Sequence, residues 1–133
     1  MPIPFLACMA LTASFYHLPP RVLPAIQVVE GGRVGIVSHN TDGSDDLGMM
    51  QVNTLWLPAL SRRTGLTAAA VRVRLVGDAC FNISAAGAIL RTYLDETQGD
   101  LMRAVGDYHS HTTALNQSYQ ISVRAAAGRL FGR

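Results

Sequence analysis

The sequence has 133 residues, with 11 Lys or Arg and 9 Asp or Glu, so the formal net charge at pH 7 is only +2. Hydrophobic residues make up 49% of the chain and charged residues 15%, a composition that excludes disorder and supplies a real core. The small net charge and dispersed arginines argue against nucleic-acid binding. We therefore expect one globular domain over residues 1–133, with no nucleic acid among its partners.

The first predicted element is an apolar helix over Phe5 to Tyr16. Four prolines lie in the uncharged first twenty residues, and no apolar run reaches the ~18 residues that a membrane span requires. No transmembrane segment is therefore predicted. The stretch from Ile3 to Ala13 has the apolar character of a signal peptide, but no positive charge precedes it, since the first is Arg21. We interpret it as the first helix of the mature domain.

A second helix is predicted to start near Pro20, which suits a first helical position, and to end at Gly31-Gly32. Glu30 then lies at the C-terminal end of an apolar helix. The helix dipole is unfavourable to a carboxylate there, and apolar neighbours also favour the protonated form. This placement suits an acid catalyst.

The pattern changes to short β-type residues from Arg33 to Asp46, with an Asp-Gly dipeptide inside a turn cluster. A small β-hairpin is predicted here. The remaining chain predicts five helical segments: 47–60, 67–75, 80–94, 100–108 and 114–131. Pro58 interrupts the helix-like spacing of the first segment. The third segment is a longer helix that Asp78 can cap, and small residues make it slim. The small residues at 85–88 allow close helix packing, so the third segment is expected at the centre of the bundle.

Glu30 and Asp46 form the candidate catalytic pair. One carboxyl ends an apolar helix and the other lies at the polar end of a hairpin, so their environments push the two pKa values apart, which is how acid and base roles are divided. The alternative, from the residues alone, is a surface glutamate and an ordinary turn aspartate.

Other chemistries have weaker support. The turn cluster has the polar residues of a calcium loop, but its glycine falls at the fourth position instead of the sixth, and Gln51 replaces the terminal glutamate. His109 and His111 diverge on a helix, and His17 and His39 lack a partner at ligand spacing. No metal and no other cofactor are predicted.

The two cysteines, Cys8 and Cys80, are open to two interpretations. They are either unrelated buried thiols, as is usual in cytosolic chains, or one disulfide. A disulfide closing so long a loop would stabilise the fold by roughly 4 kcal/mol and would imply an oxidising compartment.

The segment 40–53, Asn-Thr-Asp-Gly-Ser-Asp-Asp-Leu-Gly-Met-Met-Gln-Val-Asn, resembles the active-site hairpin and following helix of the lysozyme superfamily. It combines a turn, an aspartate two residues before Gly48 and a helix-terminal glutamate sixteen residues upstream of that aspartate. Over nearly its whole length the chain resembles small soluble lytic transglycosylases of bacterial secretion, conjugation and pilus systems. The blocks that carry this resemblance are Cys8, 28–32, 56–58, 78–83 and 104–108.

The resemblance implies a predominantly helical α+β, lysozyme-like fold with a small β-hairpin beside the active-site cleft. It implies a Cys8–Cys80 disulfide and a periplasmic location. It makes Glu30 the general acid and later base, and it assigns four residues to the floor of the sugar cleft: Gly48, Met50, Gln51 and Asn53. Tyr108 matches a family tyrosine near the glutamate, the alternative being an ordinary core aromatic.

The roles of three further positions are not taken from the family. His109 stands where the family usually has asparagine, so no role of that asparagine is transferred. Tyr119 resembles a second family tyrosine, but we favour a place in the core. Asn82 is interpreted as structural, helping to open its helix.

The predicted function is cleavage of the MurNAc–GlcNAc bond in peptidoglycan with formation of 1,6-anhydro ends, for local wall remodelling around a secretion, conjugation or pilus assembly. Asp46 adds a second carboxylate, as in lysozymes, so the alternative is a hydrolysing muramidase. A second alternative is a non-catalytic module that binds glycan or an envelope partner.

Overall fold

The computed structural model describes residues 2–132 and, over that range, is predominantly helical with a small antiparallel sheet, which confirms the predicted α+β class. The helices are, in chain order, α1 (Leu6–Tyr16), α2 (Val22–Glu30), α3 (Leu57–Thr64), α4 (Ala68–Gly77), α5 (Ala79–Glu96), α6 (Leu101–His109) and α7 (Thr113–Phe131). The strands are β1 (Val37–His39), β2 (Asp45–Leu47) and β3 (Val52–Asn53), and a 3-10 turn covers Thr54–Trp56.

The central helix is α5, as its small residues predict. It packs against α1, α4 and α6, and most of its side chains are buried. A Cβ atom on Gly87 would lie 2.2 Å from the Thr12 side chain and 3.0 Å from the Tyr16 ring, so α1 can approach only a glycine here. The Cys8–Cys80 disulfide joins the same two helices, with the Cα atoms 5.4 Å apart. The pairing that the resemblance implied is therefore present.

Helix ends follow the predicted signals in most places. The Asp78 side chain accepts a hydrogen bond from the Phe81 N–H and caps α5, and Thr67 caps α4 in the same way. The prediction that Pro20 opens the second helix is wrong. Residues 20 and 21 form a turn, and α2 begins only at Val22.

The predicted hairpin is present, with β1 and β2 antiparallel and Ser38 opposite Asp46. Its turn is closed by the Asn40 N–H, which donates to the Ser44 carbonyl at 2.9 Å. The Asp42 carboxylate accepts from both the N–H and the hydroxyl of Ser44. Gly43 has φ +89°, a conformation that favours glycine.

The helix-like pattern predicted from Leu47 to Leu60 is wrong in its first half. Leu47 ends β2, the chain turns, and β3 pairs with β2 to complete a sheet of order β1-β2-β3. Gly48 and Gln51 both have positive φ, at +66° and +54°, which no helix accommodates. Pro58 does not interrupt a helix, because it lies in the first turn of α3.

A helix that spans a bilayer must be both long and apolar. None of the described helices meets both conditions by itself. The pair α4 and α5 reaches that length and hydropathy only when taken together, and it is bent by 112° at the break between them.

Candidate active site

A cleft of about 640 Å³ opens between the sheet and the helices, and both predicted catalytic carboxylates lie in it. The sheet contributes carboxylates, amides and the hairpin turn to one wall, and the helices contribute aromatic and imidazole rings to the other. The lining residues used below are Glu30, Asp46, Gln51, Asn53, Trp56, Tyr93, Tyr108, His109 and His111. We refer to this space as the cleft.

Glu30 is the last residue of α2, as the glycine pair predicts. Gly31 takes the left-handed conformation, with φ +66°, and its N–H donates to the Gln27 carbonyl at 2.8 Å. The Gln27 side chain donates to the Gly32 carbonyl at 3.0 Å. A Cβ atom on Gly32 would lie 2.3 Å from the Gly48 carbonyl oxygen, so the end of α2 is packed directly against the turn after β2.

Burial determines the protonation of Glu30. Removal of the carboxylate from water raises its pKa from 4.5 to about 7, and the negative charge of Asp46 adds to this increase. The Tyr119 hydroxyl donates to Glu30 Oε2 at 2.6 Å and opposes the shift, because a donor favours the ionised form. The pKa of Glu30 therefore lies close to neutral pH, where the carboxyl can both hold and release a proton.

Tyr119 is a site residue that sequence reasoning missed. It is 6% exposed and packs in the core, as predicted, but its hydroxyl reaches Glu30. The core prediction is confirmed, and the contact with Glu30 is what it did not include. Burial and the neighbouring Glu30 charge raise the pKa of Tyr119, so this hydroxyl remains a hydrogen-bond donor. Its match to a second family tyrosine was the signal that could have found it.

Asp46 lies in the middle of β2, paired with Ser38 on one side and Asn53 on the other. The Asn53 side-chain amide donates to Asp46 Oδ1 and to the Ser44 hydroxyl, both at 3.0 Å. The side-chain oxygen of Asn53, Oδ1, in turn accepts from the Leu55 N–H at 2.9 Å. Asn53 is thus fixed at both ends and orients the Asp46 carboxylate in the cleft.

The neighbouring acids of the hairpin are held ionised by hydrogen bonds. His39 and Arg72 bond the two carboxylate oxygens of Asp45, at 2.6 and 2.9 Å, and lower its pKa. The Ser44 hydroxyl and N–H lower the pKa of Asp42. Asp42 and Asp45 therefore keep their negative charges at the hairpin through hydrogen bonding.

Two of the predicted floor residues do not line the cleft. Met50 has no exposed surface, and a Cβ atom on Gly48 would lie 2.1 Å from the Leu75 carbonyl oxygen. Both residues support the floor from below, and the prediction that they contact sugar is corrected. Gln51 does line the cleft, and its side-chain amide donates to the Gly48 carbonyl at 3.1 Å.

Asn82 holds that floor in place. It is completely buried, accepts from the Met50 N–H and donates to the carbonyls of Leu47 and Leu75, all at 2.8 Å. The structural interpretation is confirmed, but the expectation that it opens its own helix is wrong. Its side chain instead joins α5 to the end of β2 and the end of α4.

Aromatic side chains form the helical wall. The Tyr108 hydroxyl donates to the Met50 carbonyl at 2.9 Å, which fixes its ring beside Glu30, whose charge contributes to the raised pKa of Tyr108 after burial. Trp56 and Tyr93 meet edge to face, with centroids 5.7 Å apart. Sequence reasoning did not assign these two to the site, although Trp56 is the one tryptophan of the chain and lies three residues after the motif.

Two imidazoles complete this wall. His109 stacks on the Tyr119 ring, with centroids 4.9 Å apart and planes 8° apart. His111 meets the Tyr93 ring edge-on at 5.3 Å and lies 3.9 Å from Asp107. Within residues 2–132, no three His, Cys, Asp or Glu side chains form a group that could hold a metal ion.

Comparison with known proteins agrees with this site. The sequence profile of the family described as "Transglycosylase SLT domain" matches residues 8–127. Similar curated proteins are named "Invasion protein IagB", from Salmonella typhimurium strains SL1344 and LT2 and from Salmonella typhi. Each is 28% identical over 107 residues, which is 80% of this chain and 63% of the relative, so the chain spans less than two thirds of their length. The family match and the helical α+β architecture together confirm the predicted lysozyme-like fold.

Proposed function

The chain belongs to the transglycosylase SLT domain family, and from that premise we propose that it cleaves the bond between MurNAc and GlcNAc in peptidoglycan glycan strands, leaving 1,6-anhydro-MurNAc ends. The observation that carries the proposal is Glu30, a half-buried carboxyl in an open cleft with a pKa of about 7. Such a group can give a proton and take one back close to neutral pH, which general acid–base catalysis requires.

In this proposal Glu30 first donates its proton to the glycosidic oxygen as the bond to MurNAc C1 breaks. Tyr119 occupies Oε2 as a donor, which leaves Oε1 as the oxygen that carries the acid proton. The MurNAc C6 hydroxyl oxygen then bonds to C1, and the ionised Glu30 accepts the hydroxyl proton. One bond breaks, one forms, the proton on Glu30 is restored and no water is consumed.

Asp46 stabilises the positive charge that develops at C1 while the bond breaks. Its carboxylate lines the cleft and is oriented there by Asn53. The same carboxylate also supports an alternative, in which Asp46 attacks C1 as a nucleophile and water later releases the sugar. That enzyme would be a lysozyme-type hydrolase.

We assign substrate binding to side chains exposed in the cleft. The amides of Gln51 and Asn53 suit the hydroxyl and acetamido groups of the sugars, and the rings of Trp56, Tyr93 and Tyr108 suit their apolar faces. Gly48 and Met50 act only by shaping the backbone below.

The setting of this activity is part of the proposal. We place residues 1–133 as one lysozyme-like domain in the periplasm, where peptidoglycan lies and where a Cys8–Cys80 disulfide persists. Local wall opening for a secretion, conjugation or pilus assembly is supported by the sequence resemblance and by relatives named as invasion proteins.

The test is mass spectrometry of the soluble fragments released from purified sacculi. Anhydro muramyl ends are expected. Reducing ends, one water heavier, would instead identify a hydrolase. Absence of any fragment, with the protein still sedimenting with sacculi, would contradict both enzymes and favour a glycan-binding module.

A further inference from the structure

The stack of His109 on Tyr119 connects an exposed imidazole to the proposed acid. His109 is the last residue of α6 and is exposed in the cleft, whereas Tyr119 is buried on α7. Their rings are nearly parallel, at 8°, and the far end of the tyrosine bonds Glu30 at 2.6 Å. One tyrosine ring therefore separates the imidazole from the carboxyl.

We propose that His109 is a positioning residue for Glu30: its ring, stacked on Tyr119, holds that tyrosine in place, and the Tyr119 hydroxyl holds the carboxyl. The inference rests on the proposed function, because it concerns the same carboxyl.

The stacked His109 ring affects the orientation of Tyr119. A stacked ring on one face restricts rotation of the tyrosine, and with it the position of the hydroxyl that bonds Glu30. The start of α7, which carries Tyr119, is itself held against the end of α6. Asn116, one helical turn before Tyr119, donates to the Asp107 carboxylate at 2.8 Å and to the Ser110 carbonyl at 3.2 Å. Gly106 packs against the same asparagine so closely that a Cβ there would lie 1.9 Å from it.

The hydrogen bond connects this orientation to the acidity of Glu30. The Tyr119 hydroxyl lowers the pKa of Glu30, so a Tyr119 ring that turns away raises it. The titratable groups that line the cleft together with His109 are Glu30, His39, Asp42, Asp46, Tyr93, Asp107, Tyr108 and His111, and Tyr119 is stacked on its ring.

A direct readout of Glu30 is available without substrate. The chain has two glutamates, Glu30 and Glu96, and Glu96 is exposed near the end of α5. Carbon-13 labelling of glutamate therefore gives two carboxyl signals in the whole protein, one from the site and one as an internal reference. The Glu30 signal is expected to titrate with a midpoint of about pH 7.

Two substitutions at position 109 differ in whether a stacked ring remains. His109→Phe keeps a ring on Tyr119, so the Glu30 midpoint is expected to stay within about 0.2 pH unit of wild type. His109→Asn removes the ring and loosens Tyr119, whose hydrogen bond lowers the pKa of Glu30, so a rise of about 1 unit is expected. In a Tyr119→Phe background, this rise should disappear.

His111→Asn is the matched control, because it removes the other imidazole of this wall, which contacts Tyr93 and not Tyr119. A shift no larger than about 0.2 unit is expected there. The proposal is overturned if His109→Asn leaves the Glu30 midpoint within that range, or if His109→Phe or His111→Asn moves it as far as His109→Asn does.

The readout also separates this inference from the proposed function. If the wild-type protein releases no fragments from sacculi but the His109→Asn shift is observed, the function fails and the positioning role stands. If fragments are released and the alkaline limb of cleavage does not move in His109→Asn, the positioning role alone fails.

Discussion

The two walls of the cleft hold their carboxyl groups by opposite means. On the helical wall, Glu30 ends an apolar helix, and one hydrogen bond from Tyr119 does not offset the loss of water. On the sheet wall, Asp46 accepts from Asn53, and its neighbours Asp42 and Asp45 are bonded strongly enough to lower their pKa values.

The difference shows how one small cleft provides an acid and an anion together. Burial without enough donors favours the neutral acid, and donors at a polar hairpin favour the anion. The two walls are also coupled, since the Asp46 charge contributes to the raised pKa of Glu30. Changes to either wall therefore test the division of roles.

The largest expected effect is on the helical wall. Glu30→Gln keeps the shape of the side chain and an oxygen that can accept from Tyr119, but it has no proton to give. We expect cleavage of sacculi to fall by about 10²- to 10⁴-fold, the usual contribution of a general acid. The rate of muropeptide release measures it.

Glu96→Gln is the matched control for this substitution, since it changes the other glutamate, which is exposed on α5 and does not line the cleft. It should retain wild-type release. Substantial cleavage by Glu30→Gln, with its circular dichroism spectrum unchanged, would remove Glu30 from the acid role.

For the sheet wall, the corresponding disruptive substitution is Asn82→Ala, because the Asn82 side chain on α5 holds the end of β2. It leaves the Met50 N–H and the carbonyls of Leu47 and Leu75 buried without their partner. We expect the free energy of unfolding in urea to fall by about 3–4 kcal/mol, because buried unsatisfied groups cost about 1–3 kcal/mol each. Exposed Gln117→Ala on α7 is the control, within about 0.5 kcal/mol of wild type. Equal stability of the two variants would show that the floor does not depend on Asn82.

A third prediction concerns the stability that the helical wall loses by burying an acid. The pKa of Glu30 is about 7 in the folded protein against 4.5 for a solvated carboxyl, so the folded state binds the proton more tightly. Stability from this group is then complete below about pH 4.5, declines as pH rises from there to about 7, and is lost above that pH. Glu30→Gln has no such decline, and at pH 8 it should exceed wild type by about 2–3 kcal/mol more than at pH 4.

Urea unfolding of the two proteins at pH 4, 6 and 8 measures this difference. A difference between Glu30→Gln and wild type that is constant across this range would mean that Glu30 is not a raised acid in the folded protein.

Sequence reasoning succeeded where the signal is local. Gly31 and Gly32 follow Glu30 directly and end its helix, and the turn at Asp42-Gly43 defines the hairpin that carries Asp46. Both carboxyls could therefore be assigned to their elements before any tertiary contact was known, and the family motif brought them to one cleft.

Sequence reasoning failed where long-range packing decides. Tyr119 is 89 positions from Glu30, and only the packing of α7 on α2 brings its hydroxyl to the carboxylate. β3 is two residues long and forms by pairing with β2, a contact that the local sequence does not show. The helix-like spacing of this segment therefore led to the wrong element. Met50 and Gln51 are adjacent in the motif, but the backbone turns one beneath the floor and the other into the cleft.

The smallest expected effect, and the one that tests the coupling of the walls, comes from Asp46→Asn. Asparagine retains an oxygen that Asn53 can bond but removes the charge. We expect cleavage to fall by about tenfold, because a stabilising charge is lost while the acid stays in place. The alkaline limb of the pH profile should also move to lower pH, by about half a unit, because the Asp46 charge no longer raises the pKa of Glu30.

These two readouts from Asp46→Asn distinguish an electrostatic helper from a nucleophile. A helper gives a partial loss, a displaced alkaline limb and unchanged anhydro ends. A nucleophile gives a loss as large as that of Glu30→Gln, since no covalent intermediate can then form. Undiminished cleavage with an unmoved limb would mean that Glu30 alone carries the chemistry, and that the hydrogen-bonded order of the sheet wall serves substrate binding.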